Sequence, residues 1–341
     1  MKILSFGELL LRLASPGYTK LFQNNSLDVS FCGGEANVAV SLAQFGLNSS
    51  FISVLPNNDV GRAGINTLNY FGVDTTKVIF KDGRMGTYYL EKGASQRPSK
   101  IIYDRENSAF SLATKELFDW EKIFDGIGWF HWTGINPALS KELIEICYDA
   151  CNEAKKRGIR VSCDLNYRKN LWSSDSAKLA MAKLMPYVDV CIANEEDVEK
   201  VLGIEIRDND IELGKLNKRG YEIAAKEIAK QYGCEYVAFT LRESFSASRN
   251  GWSAMLYDKR KSKAYYSTTY DIQIVDRVGS GDSFAAGIIY GLLSKKNNQE
   301  ILEFSVAASC LKHTIEGDFN RISVLDVESL LATGGSGRVQ R

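Results

Sequence analysis

The sequence predicts an α/β protein: a central, mostly parallel sheet with helices on both faces, and a small β-sheet lid standing off it. Three observations predict this. From about Gly33 onward, apolar strand-like runs alternate with segments of helical period, the pattern of repeated β-α units. The runs "IRVSCDLN" and "VDVCIAN" read as buried strands. Two stretches, residues 10–31 and 84–106, break the alternation with hairpin-like material that suits a separate sheet.

In chain order, "MKILSFGELLLRLASPGY" is apolar but interrupted by Glu8 and Arg12, so it reads as a first strand and not a signal peptide. "EANVAVSLAQFG" is helical with a glycine stop at Gly46, and "SSFISVL" follows as a strand. "GTYYLEKGASQRPSKIIYDR" alternates and carries turn residues in its middle. "GWFHWTG" is an aromatic strand in which His131 reads as a core histidine. "KELIEICYDACNEAKKRG" puts Leu143, Ile146, Cys147, Ala150, Cys151 and Ala154 on one face and ends in a basic turn plus Gly158, a well-formed helix terminus. After the strand "IRVSCDLN", "SAKLAMAKLMPYV" is a helix, "VDVCIAN" a strand and "EEDVEKVLG" a short helix. "YEIAAKEIAKQYG" and "YVAFTL" repeat the helix–strand pair. Residues 206–220 form a charged surface loop, and "TGGSGRVQR" has too little apolar content to pack. The expected organisation is one domain over 1–332 with a flexible tail at 333–341.

Bulk composition narrows the function. Lys plus Arg and Asp plus Glu number 42 each, so the formal net charge is zero, and the electrostatic footprint of a dedicated nucleic-acid binder is missing. A small molecule in a local pocket is the expected partner. The seven cysteines contain no C-x-x-C pair and read as reduced buried thiols. No run approaches the roughly 18 apolar residues of a membrane helix. The expectation is a soluble, cytoplasmic protein with neither nucleic-acid nor membrane partners.

The stretch "DRVGSGDSFAAG", Asp276 to Gly287, is a glycine turn leading into an apolar helix. A dinucleotide fingerprint needs glycine where Phe284 stands, and a P-loop needs a lysine that is missing. What remains is a helix N-terminus used directly. The N–H groups of Gly279, Ser280, Gly281 and Asp282 would form a nest for negative charge. Asp282 is then either a base for an attacking hydroxyl or an ordinary helix cap.

A second glycine pair, in "CGGEANVAVSLAQFG", precedes Asn37 at a helix start, and "ANEEDV" lies between the two turns. With these three motifs in place, the chain resembles the ribokinase-like (PfkB) carbohydrate kinases over nearly its whole length. The resemblance implies a ribokinase-like three-layer α/β/α fold and phosphoryl transfer from ATP with Mg²⁺, and it admits a monovalent cation. It places a sugar site at Gly33, Gly34 and Asn37. It makes Asp282 the catalytic base, with Gly279, Ser280 and Gly281 around the transferring phosphoryl group. The late motif keeps both aspartates and both glycines, but Arg277 and Ser280 stand where the family has threonine and alanine. In the mid-chain motif, Asn194 and Asp197 would organise water around Mg²⁺, with aspartate where the family usually has glutamate.

The acceptor is read from cationic and phenolic donors, which suit a sugar acid. Tyr89, Tyr103 and Arg105 lie in the lid stretch, and Arg168 ends "DLNYR". On these residues the resemblance is closest to the 2-keto-3-deoxygluconate kinases, with Asp318 in "IEGDFN" as a second acid near the substrate. That branch implies phosphorylation of 2-keto-3-deoxy-D-gluconate at its terminal hydroxyl. The alternative is a fructokinase or another sugar kinase of the family. Nucleotide contacts are expected at Asn166, Arg168, Asn194, Thr240, Arg242, Ser244, Gly279, Gly281 and Asn320. Exposed strand edges in the lid predict a homodimer formed through it.

Overall fold

The structure is a computed structural model and describes residues 1–206 and 217–334. Nine strands form the main sheet. Six run parallel, in the spatial order Asn48–Ile52, Lys2–Phe6, Ile127–Thr133, Arg160–Asp164, Val190–Ala193, Tyr236–Ser244. Beyond them Arg249–Asp258 pairs antiparallel with Tyr236–Ser244 and carries Lys263–Tyr266 and Tyr270–Gln273. Successive residues of the inner strands face opposite layers, as the two-residue period of a strand requires. Leu4, Phe130 and Val237 join one apolar core with the helices Lys141–Lys156, Ser174–Leu184 and Lys218–Tyr232. Ile3, Trp129 and Ala238 join another with Gly34–Gln44, Ser280–Leu293 and Asn298–Lys312. This is the three-layer arrangement the sequence predicts.

The lid is a separate four-stranded sheet in the order Asp28–Cys32, Leu10–Ala14, Gly86–Glu91, Lys100–Asp104. The two hairpins expected at 10–31 and 84–106 are both present, joined in parallel through Leu10–Ala14 and Gly86–Glu91. The chain therefore leaves the main sheet after Phe6, builds half of the lid, and re-enters the body at Gly33.

The helix Ser280–Leu293 is nearly all apolar and small, and it packs between two other helices. A Cβ at Gly287 would stand 2.6 Å from Ser305 Cα, so glycine is what lets the Asn298–Lys312 helix approach this closely. The segment expected as a short helix after Asn194 begins as one at Glu195–Asp197 and widens into a π turn over Val198–Leu202. All seven cysteines are buried and unpaired. His131 is buried, with Nδ1 against Ser162 Oγ at 2.9 Å, so it serves the core as expected. Among the described residues no helix is long and apolar enough to cross a membrane. Most of the charged loop (207–216) and most of the expected tail (335–341) lie outside the described residues, and Thr333 still belongs to the last helix, Val324–Thr333.

Candidate active site

Two helix starts meet at the ends of the parallel strands. Gly33 and Gly34 open the helix Gly34–Gln44, which puts Asn37 one turn in. Gly279 opens the helix Ser280–Leu293. Gly279 has φ 84°, and a Cβ there would lie 2.2 Å from the Asp318 carbonyl oxygen, so the turn is closed to any residue but glycine. Asn37 Nδ2 donates to Asp282 Oδ2 at 2.6 Å and ties the two helix starts together. This bond is the answer to whether Asp282 merely caps its helix: no side-chain cap bond is formed at that end, and the carboxylate turns across to the other helix.

Asp282 lines two adjoining hollows. The larger, about 320 Å³, is walled by Asn166, Arg168, Asn194, Thr240, Arg242, Gly279 and Gly281, all expected nucleotide contacts. Of that set, Ser244 and Asn320 are not in the wall. Ser244 closes the end of its strand opposite Asn250. Asn320 is buried, donating to Ser283 Oγ at 3.3 Å and accepting from the Ile322 amide at 3.1 Å. The smaller hollow, about 80 Å³, is walled by Gly33, Gly34, Asn37, Tyr103, Arg105, Arg168 and Asp318, the expected sugar contacts.

Tyr89 is displaced from that set. It sits on the other face of its strand, with its ring against Phe22 at 6.1 Å, and its neighbour Tyr88 faces the hollow instead. Ser280 is likewise turned away. Its hydroxyl donates to the Arg277 carbonyl at 2.9 Å, and its amide faces the same oxygen at 3.5 Å. The amides left to meet an anion are those of Gly279, Gly281 and Asp282.

The lid side is saturated with ion pairs. Arg105 donates from Nε and Nη2 to Glu8 Oε2, the first at 2.9 Å. Arg12, 3% exposed, bridges Asp276 (2.5 Å) and Asp318. Tyr88 donates to Asp318 at 2.8–2.9 Å. Asp276 also accepts from the Val278 and Gly317 amides at 3.1 and 3.2 Å, so this buried network braces the glycine turn against the lid. Lys312, 0% exposed, donates to the Ile315 carbonyl, and the carboxylates of Asp276, Asp318 and Asp282 act on its charge. Glu8, Glu35, Tyr88, Arg12 and Lys312 were not among the sequence's candidates.

Burial shapes the electrostatics. Asp282 is pushed up to about 7 by burial and by Asp318, opposed by its bond from Asn37 and by Arg168 and Lys312. Glu35, which accepts from the Thr133 amide and hydroxyl at 3.1 and 2.7 Å, is pushed up to about 7 by burial, with Asp282 adding to it. Asp164 is held well above the ordinary carboxylate range by burial and by Asp197 and Asp282. Asp197 is pushed up to about 6, chiefly by burial.

Among the described residues no cluster of three or more His, Cys, Asp or Glu side chains could cage a metal. Asn194 and Asp197 form a capping box: Asn194 Oδ1 accepts from the Asp197 amide at 2.9 Å, and Asp197 Oδ2 accepts from the Asn194 amide at 3.1 Å. Asp197 Oδ1 accepts from the Tyr167 amide at 2.7 Å. Yet Asp164, Glu195 and Asp197 all line the larger hollow, and all three are raised by burial, which a nearby cation would relieve. Such a donor set fits Mg²⁺ that keeps its waters and arrives on phosphates, since Mg²⁺ dehydrates reluctantly.

The model of the pfkB family carbohydrate kinases matches residues 1–321. A solved structure of 2-dehydro-3-deoxygluconokinase from Thermotoga maritima is 49% identical with a TM-score of 0.93, covering 97% of this chain and 99% of that one. A 2-dehydro-3-deoxygalactonokinase of Haloferax volcanii is 30% identical over 98% of each chain. A more distant structure, a putative ribokinase II of E. coli in complex with ATP and Mg²⁺, shares the fold at 18% identity and a TM-score of 0.78, covering 97% of this chain and 99% of that one.

Proposed function

From the premise that this chain belongs to the pfkB family of carbohydrate kinases, we propose that it transfers the γ-phosphoryl group of ATP to the terminal hydroxyl of 2-keto-3-deoxy-D-gluconate. The observation that carries the reading is the position of Asp282, buried at the junction of the two hollows and held there by Asn37. The sugar acid sits on the lid side, with Gly34 and Tyr103 around it and Arg168 for its carboxylate. The nucleotide sits on the other side, with Thr240 and Arg242 in the wall. Asp282, ionised, accepts the proton of the attacking hydroxyl as its oxygen bonds to phosphorus and the bond to the leaving ADP breaks. The amides of Gly279, Gly281 and Asp282 stabilise the charge on the phosphoryl oxygens, where phosphoryl transfer needs most help. Mg²⁺ would be held through water by Asp164, Asn194 and Asp197 and would supply charge neutralisation on the phosphates. Burial disfavours the charge on Lys312 behind the turn while Asp276, Asp318 and Asp282 favour it, and a monovalent cation is not part of this proposal.

The lid covers the acceptor and keeps water from competing for the phosphoryl group. Val29, Ile101 and Ile102 stand exposed on its outer strands, so a homodimer through the lids belongs to the proposal, and a monomeric mass in solution would refute it. Seven unpaired buried cysteines suit a reducing, cytoplasmic setting.

An ATP-consumption assay tests the acceptor. Turnover should be highest with 2-keto-3-deoxygluconate, lower with its galactonate epimer, and low with fructose and other neutral hexoses. Arg168→Ala should lower kcat/KM for the keto acid far more than for a neutral sugar. Equal losses on both would remove the sugar-acid assignment.

A further inference from the structure

The glycine turn carries arginine at 277 where the resembling kinases have threonine, and the catalytic scheme above does not use it. Arg277 and Arg242 both line the larger hollow, beside Gly279 and Gly281. Among the described residues neither forms an ion pair. The nearby carboxylates are committed elsewhere: Asp276 to Arg12 and two backbone amides, Glu195 to the Tyr221 hydroxyl at 3.3 Å.

Among the described residues the Arg277 side chain makes one hydrogen bond, from Nη2 to the neutral carbonyl of Ala247 at 2.8 Å. Its Nε is buried with no acceptor. A desolvated donor on a charged group is costly to leave unpaired. Burial and the neighbouring Arg242 both disfavour the charge on Arg277, with Asp276 opposing them in part. The start of the helix Ser280–Leu293 adds its own partial positive charge to the same wall. The one bond that exists also fixes the guanidinium in place. Ala247 is tied to the lid by its amide on the Ser95 carbonyl (2.8 Å), and Ser248 Oγ accepts from the Ser95 amide (2.8 Å). Arg277 thus has one anchored arm and a buried Nε without an acceptor, in a wall that holds Arg168 and Arg242 as well as the carboxylates of Asp164, Glu195, Asp197 and Asp282.

We infer that Arg277, together with Arg242, grips the polyphosphate tail of the phosphoryl donor, which supplies the acceptor that the Arg277 Nε lacks. A planar guanidinium offers paired N–H donors matched to phosphate oxygens, which threonine at this position would not. The inference rests on the donor side of the proposed reaction and is independent of which sugar is the acceptor.

Titration calorimetry without sugar or metal tests it, using ATP, inorganic tripolyphosphate and adenosine as probes. Charge-assisted bonds of this kind predict that Arg277→Met weakens ATP and tripolyphosphate by about tenfold to a hundredfold, by similar factors, with adenosine unchanged. Arg277→Lys keeps the charge but loses the fork, and should recover part of the loss. ATP and tripolyphosphate affinities within twofold of the wild type in Arg277→Met would overturn the inference. So would an adenosine affinity that falls as far as that for ATP, because Arg277 would then only pin the Ala247 turn. A wild-type protein that binds tripolyphosphate yet phosphorylates no sugar acid would strike the acceptor assignment and leave the arginine clamp intact.

Discussion

The two hollows that share Asp282 treat arginine in opposite ways. On the lid side each buried arginine already has its carboxylate: Arg105 has Glu8, and Arg12 has both Asp276 and Asp318. On the other side Arg242 and Arg277 line the larger hollow, with Arg277 bonded only to a backbone carbonyl, while the exposed Arg168, likewise bonded only to a backbone carbonyl, lines both hollows. A paired, desolvated arginine is part of the framework; an unpaired one in a pocket wall awaits an anion. The lid's charges therefore hold the smaller hollow in shape, while Arg242 and Arg277 in the larger one are left for a ligand.

Asp282 belongs to both sides, so its loss should be the largest effect on turnover. Asp282→Asn is expected to lower kcat by about 10²- to 10⁴-fold, the usual value of general-base help, with substrate affinities nearly kept. Near-normal turnover would mean that neither hollow needs it. The next contrast is in stability. Arg12→Met leaves Asp276 and Asp318 buried without their cation and should cost about 3–5 kcal/mol in urea unfolding. Arg242→Met should cost within about 0.5 kcal/mol, since it breaks no such network. If the two cost the same, the division into framework and ligand-binding arginines fails. In kinetics the order reverses: Arg242→Met is expected to raise the KM for ATP about tenfold and leave the KM for the sugar unchanged.

The smallest effect is on pH dependence. Burial lifts Asp282 to about 7, above its unfolded value near 4. Between those limits the folded state binds the extra proton, so the group's contribution favours folding at low pH and is lost as pH rises through 7. Asp282→Asn should therefore melt higher than the wild type at pH 8, and the two should converge by pH 4. The same shift leaves Asp282 fully ionised only above neutrality, so its proposed role as base predicts that kcat/KM falls on the acid side of about pH 7.

Much of this site was legible because its parts are short, local motifs. Gly33, Gly34, Asn37 and the Gly279–Asp282 turn were legible only together with the Asn194–Asp197 stretch, through the resemblance the three motifs carry, since a glycine before an apolar helix is by itself an ordinary cap. What the chain hid was pairing across distance. Arg12 is 264 residues from Asp276, and nothing in either neighbourhood names the other. Glu8 interrupts the first apolar run, which marks it as unusual but says nothing of Arg105. The lid's tyrosines show a further limit. Strand alternation guarantees that one of Tyr88 and Tyr89 faces inward, but which one depends on the neighbouring strands, and here it is Tyr88. Ser244, expected by position alone, pairs with Asn250 at its strand end, and the Asn320 side chain is bonded to Ser283 and the Ile322 amide.

The account depends on Asp282 standing between acceptor and donor, and a crystal structure with the sugar acid and a non-hydrolysable ATP analogue tests that directly. It should show an Asp282 oxygen about 2.6–3.2 Å from the terminal hydroxyl, with the γ-phosphate against the Gly279–Asp282 amides. A sugar whose hydroxyls all lie beyond reach of Asp282, or a phosphate tail outside the hollow walled by Arg242 and Gly279, would contradict it.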